Sequence, residues 1–505
     1  MTHSSEATPS SGVERNGINP VPEAQRRGSP RELFAVWFSW NVSILGISYG
    51  IYVFGLGLSV VQAIVAGVLG YAVSALLVGV LAVGGPRTGL PTLTQTRFAF
   101  GFHGNKLPTA FAYLSNVGWK ITIITLASTT GASLFARLWP GAFANPDGHA
   151  TTAAVVLWYL VVLAVTLTVA VFGHQVIIRV EKWIAWVTAV MTVVFVGMIL
   201  PHIHWGALGA TWHGSWWTFL GGAIMAMTMV GIGFLNYGGD FARYLPRCTR
   251  ARGVIGWTAG GITLPVAVLL ILGVLLVGSD AQLGSAAAAD PVAALTALLP
   301  LWFFIPFSVV IVVSLVAAAI TGVYSSGLAL LALGVPLSRV GTTAINTVII
   351  SAGAFYLLFI SDSFLATFQA FLALVAVPMG TMGGIQLLDF IRQRRLNWDV
   401  TMAQPPGLGG RPVRWTALLS LVVATIVGLG LVTSGDPNIA RVVGFLLTDS
   451  AAHGVVGQTN MGVVIAMVLG AALYALLTFV LKIDDGRPAS AADSSRARAS
   501  VASGR

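Results

Sequence analysis

Charge is what this chain has least of. Of its 505 residues only 9% are Asp, Glu, Lys or Arg, against roughly 25% in an ordinary soluble domain. Hydrophobic residues make up 56% and the mean hydropathy is +0.85, so a soluble globular or disordered chain is excluded. Cysteine is nearly missing as well. A lone Cys248 rules out an intramolecular disulfide framework and a multi-cysteine metal site. There is no phosphate-binding loop of the Walker type, no metal-ligand cluster and no convincing nucleophile with its base; the HIHW string at 202–205 lacks carboxylate or thiolate company. The expectation is a protein that is not an enzyme, with no catalytic residues, no bound metal and no cofactor. Residues 1–32 contain no apolar h-region, so no cleavable signal peptide is expected. The formal charge of +10 forms no patch; the basic residues are scattered over short loops, which argues for a lipid bilayer and against nucleic acid as a partner.

What is abundant is apolar runs. Crossing about 30 Å of hydrocarbon at 1.5 Å per residue takes about 20 residues. Twelve such runs fall near Phe34–Ser59, Val61–Val83, Pro108–Leu138, Thr152–Phe172, Trp183–Leu200 and Trp216–Tyr237, then Val254–Val277, Trp302–Leu333, Thr342–Ile360, Phe364–Phe390, Trp415–Thr433 and Met461–Leu481. The chain therefore divides into a polar tail at 1–32, a membrane domain at 33–482 and a second polar tail at 483–505, both tails expected to be disordered. Within the domain, spans one to five occupy about 33–200, six to ten about 216–390, and eleven and twelve about 414–482. If the N-terminus lies inside, nearly all of the 27 Lys and Arg residues fall on inner segments, while the outer loops at 144–151, 201–215 and 278–290 have none. Lys and Arg accumulate on the cytoplasmic side, so both termini are expected in the cytoplasm of a multi-pass cell-membrane protein.

Span six ends in GIGFLNYGGDFARYLP (231–246), with Gly231, Gly233, Gly238 and Gly239 where a membrane helix should be most regular. Backbone groups freed by such a break cannot be satisfied by lipid, and a broken helix at that depth ordinarily lines a ligand cavity. Span one carries ILGISYG (44–50). The two lie five spans apart; five is odd, so two five-span halves would be inverted with respect to each other, and their broken helices would meet at the midplane. Glycines also serve close helix packing, and with 58 of them the clustering carries more weight than any single one.

Several strings resemble one family. WFSWNVSILGISYGIYVFGLGLS in span one, GPRTGLPTLTQTRFAFGFHGNKLP after span two, NVGWK in span three, GFLNYGGDFARYLPR, VYSSGLALLALG and VPMGTMGGIQLLDFIRQRR resemble, in order from about Arg31 to Arg395, the purine-cytosine permeases of the nucleobase:cation symporter family. The resemblance implies an all-α membrane fold of twelve helices, a LeuT-like 5+5 inverted repeat with broken helices one and six plus two C-terminal helices. It also implies alternating access and a flat heterocycle held between helices one, three, six and eight. The expected function is import of a nucleobase such as cytosine or a purine by cation or proton symport. A vitamin precursor, hydantoin, allantoin or nucleoside is the alternative cargo, and a channel or sensor on the same scaffold the alternative class.

Trp119 lies about 11 residues and 17 Å into span three, too deep for the interfacial aromatic belt. A buried indole offers the face a planar base stacks on, although packing alone would also bury it. It matches the stacking tryptophan of the family, and Phe234 the family's helix-six aromatic. Polar edges come next: Asn236 and Tyr237 beside the break, then Ser314, Thr321 and Tyr324 on span eight, each of which could instead satisfy backbone at a kink. Ile123 and the run Ala317-Ala318-Ala319 depart from the family pattern. They remove an amide and the hydroxyls that, with main-chain carbonyls around Trp40 and Ile44, would cage a sodium ion. Na⁺ or H⁺ therefore stays open as coupling ion. Lys120 sits mid-span, where a charge costs at least about 2.5–3.5 kcal/mol, with no acidic residue at similar depth. It is expected to supply a proton-linked or fixed positive charge in place of sodium, to accept an anionic or carbonyl-rich substrate, or to face a watery vestibule. Arg87 and Arg97 are expected to tie inner loops together or meet lipid phosphates, Asp240 and Arg243 to pair locally, and Pro378 to hinge span ten.

Overall fold

The computed structural model describes residues 18–483 except 43–44, 173, 210–213, 290–293, 296, 335–338, 362–363, 453, 455–456 and 458; inside several helices, including at 169–182, 321 and 323–325, it describes the backbone alone. Among the described residues the chain is helical, without a β-strand. The main helices are α1 (Pro30–Asn41), α2 (Leu45–Phe54), α3 (Val60–Ala82), α4 (Lys106–Leu138), α5 (Thr152–Phe172), α6 (His174–Ile199) and α7 (Trp216–Met229). There follow α8 (Gly238–Ala242), α9 (Ala251–Ser279), α10 (Leu301–Ala332), α11 (Arg339–Phe359), α12 (Phe364–Arg395), α13 (Trp415–Gly430) and α14 (Gly462–Ala475).

Among the described residues, seven of the twelve expected spans coincide with single helices long and apolar enough to cross a bilayer, and an eighth is the bent pair α1 and α2, inclined by 70°. Spans four, five, nine and eleven coincide with shorter apolar stretches of 10–17 residues. Large apolar side chains face outward on many of them: Leu69, Val73 and Leu76 on α3, Val190 and Val193 on α6, Leu419 and Ile426 on α13. A soluble protein would hide such a belt; a bilayer solvates it. The chain is a multi-pass membrane protein.

Local signals explain the boundaries. Ser29 and Glu32 form a capping box, with Ser29 N–H donating to Glu32 Oε1 at 3.2 Å and Pro30 in the first turn, which starts α1 despite its apolar surroundings. A second box separates the first two spans: Gln62 N–H donates to Ser59 Oγ at 3.3 Å and Ser59 N–H to Gln62 Oε1 at 3.1 Å. Regular structure begins earlier than the sequence suggests. Val21 is fully buried and its N–H donates to Gly89 O at 3.0 Å, while Arg26 reaches the carbonyls of Val21 and Pro86.

Helix pairing follows the five-span offset. The most extensive contacts join α3 to α9 and α4 to α10, spans two with seven and three with eight; α1 and α2 also lie on α9, α7 lies on α3, and α5 and α11 pack on α4. Spans one, two, six and seven thus form one group and three, four, eight and nine another, with α12 touching α4 and α3, and with α13 and α14 packed on α12. Glycine permits the tightest crossing. A Cβ on Gly50 would lie 2.2 Å from Leu270 O, and one on Gly273 2.2 Å from Ile47 O, so α2 and α9 touch backbone to backbone, each at the other's glycine.

Candidate functional site

Both expected interruptions are present. Span one turns through 70° between Asn41 and Leu45. Span six loses its α-helix at Val230 (φ −130°, ψ −71°), makes a 3₁₀ turn at Ile232–Phe234 and becomes helical again only at Gly238. Gly231 is needed there because a Cβ would lie 2.1 Å from Ser74 Oγ on α3. The two breaks border one cavity of about 170 Å³.

Its wall is aromatic. Trp40, Trp119, Phe234, Tyr49 and Tyr237 line it. Phe234 leans on Trp37 at 5.3 Å between centroids and on Trp40 at 6.2 Å, and Trp40 meets Tyr237 edge-on at 5.7 Å. Trp119 packs near-perpendicular to Phe368 at 5.7 Å and Phe371 at 6.3 Å between centroids, both on α12. Trp119 and Phe234 come from opposite groups of helices and share the cavity between them.

Polar groups are few. Tyr237 donates its hydroxyl to Asn116 Oδ1, and Asn236 Nδ2 donates to the same oxygen at 3.1 Å. Asn236 is 1% exposed and is not part of the cavity wall; it bridges the span-six break to α4 instead. Ser314 is on the wall, as are Ile123, Ala317 and Ala318, so both departures from the family pattern face the cavity. Lys120 is on it too, 6% exposed, the one charged side chain there among the described residues. Ile44 and the side chains of Thr321 and Tyr324 lie outside the described residues. The structure therefore gathers Trp40, Trp119, Lys120, Phe234, Tyr237 and Ser314 around one space.

Three features escaped the sequence reading. Trp40 was expected to act through its carbonyl, yet its ring forms part of the wall. Asn116, within the quoted NVGWK string and one turn before Lys120, was a readable polar residue at membrane depth. Gly322 carried no local signal: a Cβ there would fall 1.4 Å from Lys120 Cε, a fact that exists only once α4 and α10 are packed. A smaller cavity shares Trp119 and Gly233 with the first, and a third of about 180 Å³ between α7, α12 and the α13–α14 connection shares Thr228 and Leu372 with the second. They form a file leading from the aromatic chamber toward one end of the bundle.

At the end of the bundle that carries α8, the loops are locked. Asp240 Oδ1 accepts from Thr92 N–H at 2.7 Å and Gly239 N–H donates to Thr92 Oγ1 at 2.8 Å, docking the loop after α3 onto α8. Arg87 donates to Arg247 O at 2.6 Å, and Arg97 to Ala403 O at 3.5 Å with its guanidinium 4.5 Å from the Phe102 ring. Asp389 pairs with Arg392 at 2.6 Å and accepts from Tyr474 at 2.7 Å, tying α12 to the last turn of α14.

Residues 20–457 match the family model described as permease for cytosine/purines, uracil, thiamine, allantoin. The chain belongs to that family of permeases. Among curated proteins it is 26% identical over 274 residues to the putative purine-cytosine permease YxlA of Bacillus subtilis, covering 53% of this chain and 55% of the relative. To the purine-cytosine permease FCY2 of Saccharomyces cerevisiae it is 27% identical over 274 residues, 52% of this chain and 47% of the relative. The matches thus span about half the length of these curated permeases. Among solved structures, Mhp1 in an inward-facing conformation superimposes with a TM-score of 0.67 at 17% identity, covering 97% of this chain and 98% of that one. Mhp1 in a closed conformation with bromovinylhydantoin bound gives 0.63 at 18% identity, covering 96% and 99%. The permease family member therefore has the LeuT-like fold.

Proposed function

We propose that the protein is a secondary active transporter that imports a planar nitrogen heterocycle, a nucleobase such as cytosine or a purine, across the cell membrane by cation or proton symport with alternating access, its termini in the cytoplasm. The observation that carries this reading is the cavity at two helix breaks, walled by Trp40, Trp119 and Phe234 from both groups of helices. A flat ring entering it gains about 1–3 kcal/mol from each aromatic face it stacks on. Ser314 and the carbonyls freed by the breaks supply edge contacts. Relative motion of the two helix groups would open and close the chamber, because its walls belong to different groups. The related permeases and the hydantoin-bound neighbour support the substrate class.

Ile123, Ala317 and Ala318 leave the α4 and α10 walls without side-chain oxygen or amide at three positions. With few polar side chains on those two walls, the alternative cargoes, a vitamin precursor, hydantoin, allantoin or nucleoside, stay beside the nucleobase. The same lack also weakens sodium as the coupling ion. Uptake of radiolabelled rings into proteoliposomes of the purified protein tests the reading. The expected result is accumulation above the external concentration when an inward proton or sodium gradient is imposed. Flux that only equilibrates, whatever the gradient, would exclude symport and leave a channel or an uncoupled carrier.

A further inference from the structure

Lys120 is the group the stacking model leaves unused. Its stem crosses from α4 onto α10 through a slot that exists because residue 322 is glycine: a Cβ there would lie 1.4 Å from Lys120 Cε and 2.5 Å from Nζ. The side chain is 6% exposed, and what it exposes is on the cavity wall. No described residue gives the ammonium an ion pair or hydrogen bond, and the described wall holds no carboxylate; its titratable neighbours are the hydroxyls of Tyr49 and Tyr237, the latter spent on Asn116. A buried ammonium without a counter-ion is costly. A ligand that brings it an acceptor relieves that cost.

We propose that Lys120 selects for the oxygen edge of the substrate, so that the preferred ring is an oxo-heterocycle presenting a carbonyl or ring-amide anion, ahead of amino-substituted or cationic rings. This rests on the reading of the chamber as the transport site. Stacking on Trp119 or Phe234 discriminates little, because every base has a π-face; the edge decides. A hydrogen bond from an ammonium to a carbonyl or anionic nitrogen is charge-assisted and roughly twice as strong as a neutral one. At the ring position facing the ammonium an exocyclic amine turns donor toward donor, so an amino ring must rotate to offer a ring nitrogen or a second carbonyl, and a cationic ring meets like charge. Ala317 and Ala318 add no side-chain acceptor to the α10 wall, which leaves the Ser314 hydroxyl as its one polar side chain among the described residues.

Equilibrium binding to the purified full chain, with uracil against cytosine and xanthine against adenine as probes, tests this. The wild type is expected to prefer the oxo member of each pair by about tenfold or more. Lys120→Met should remove that preference by weakening the oxo rings while leaving the amino rings nearly unchanged, and Gly322→Ala, which keeps the charge but blocks its slot, should narrow it. A wild type that binds cytosine and adenine as well as or better than their oxo counterparts overturns the assignment and leaves the transporter reading standing. Binding of none of the four rings overturns the assignment for nucleobases, and if hydantoin and allantoin fail to bind as well, the reading of the chamber as a transport site falls with it. If Lys120→Met does not fold, the wild-type ranking still decides.

Discussion

At the scale of the residue, the chamber rests on rings whose positions come from the chain's own packing. Trp119 packs against Phe368 and Phe371 on α12 in T-shaped contacts and borders the space between the helix breaks. Trp119→Ala should weaken ring binding by about tenfold to a hundredfold, the equivalent of one stacking face, whereas Trp119→Phe should retain most of it; titration calorimetry on the two variants reads the difference. Depth alone made Trp119 and Lys120 stand out in the sequence, because a large indole and a charge mid-span are both expensive unless something uses them. The partners of those residues were another matter. Asn116 serves two groups 120 and 121 residues away, and Gly322 clears a path for a lysine on a different helix. Neither relation leaves a trace in local periodicity, since both are set by which helices meet.

At the scale of the element, the breaks were legible and the crossings were not. Four glycines in nine residues cannot hold a regular helix against lipid, and the structure interrupts span six between Met229 and Gly238. By contrast, Gly50 and Gly273 are two among 58 until α2 and α9 are seen to touch through them. Gly273→Val should push α9 off α2 and strongly lower the yield of folded protein. Gly141→Ala, where an added Cβ meets nothing within 4 Å, should stay within about 0.5 kcal/mol of wild type. Size-exclusion profiles and thermal unfolding of the pair separate close packing from a general intolerance of substitution. Span bounds were legible from apolar runs where charge or glycine ends them: α5 covers Thr152–Phe172 and α13 starts at Trp415, as expected, whereas α6 begins at His174, ahead of the apolar run that opens at Trp183.

For the whole molecule, the five-span offset in helix pairing explains why two glycine-rich interruptions so far apart in sequence border one space. Cys248, the single cysteine, is exposed in the segment between α8 and α9, beside Arg247 and Arg250. If the termini lie in the cytoplasm, as proposed from the basic loops, a membrane-impermeant maleimide should label it only after the cells are permeabilised; labelling of intact cells would invert the proposed topology. The central claim is that the chamber between the breaks is where a planar ring resides. The most direct measurement is a crystal structure of the protein with 5-bromouracil, locating the bromine by its anomalous signal. The account predicts that signal inside the space bounded by Trp40, Trp119 and Phe234; bromine found only at the lipid-facing surface or in the cavity by Thr433 and Asn460 would contradict it.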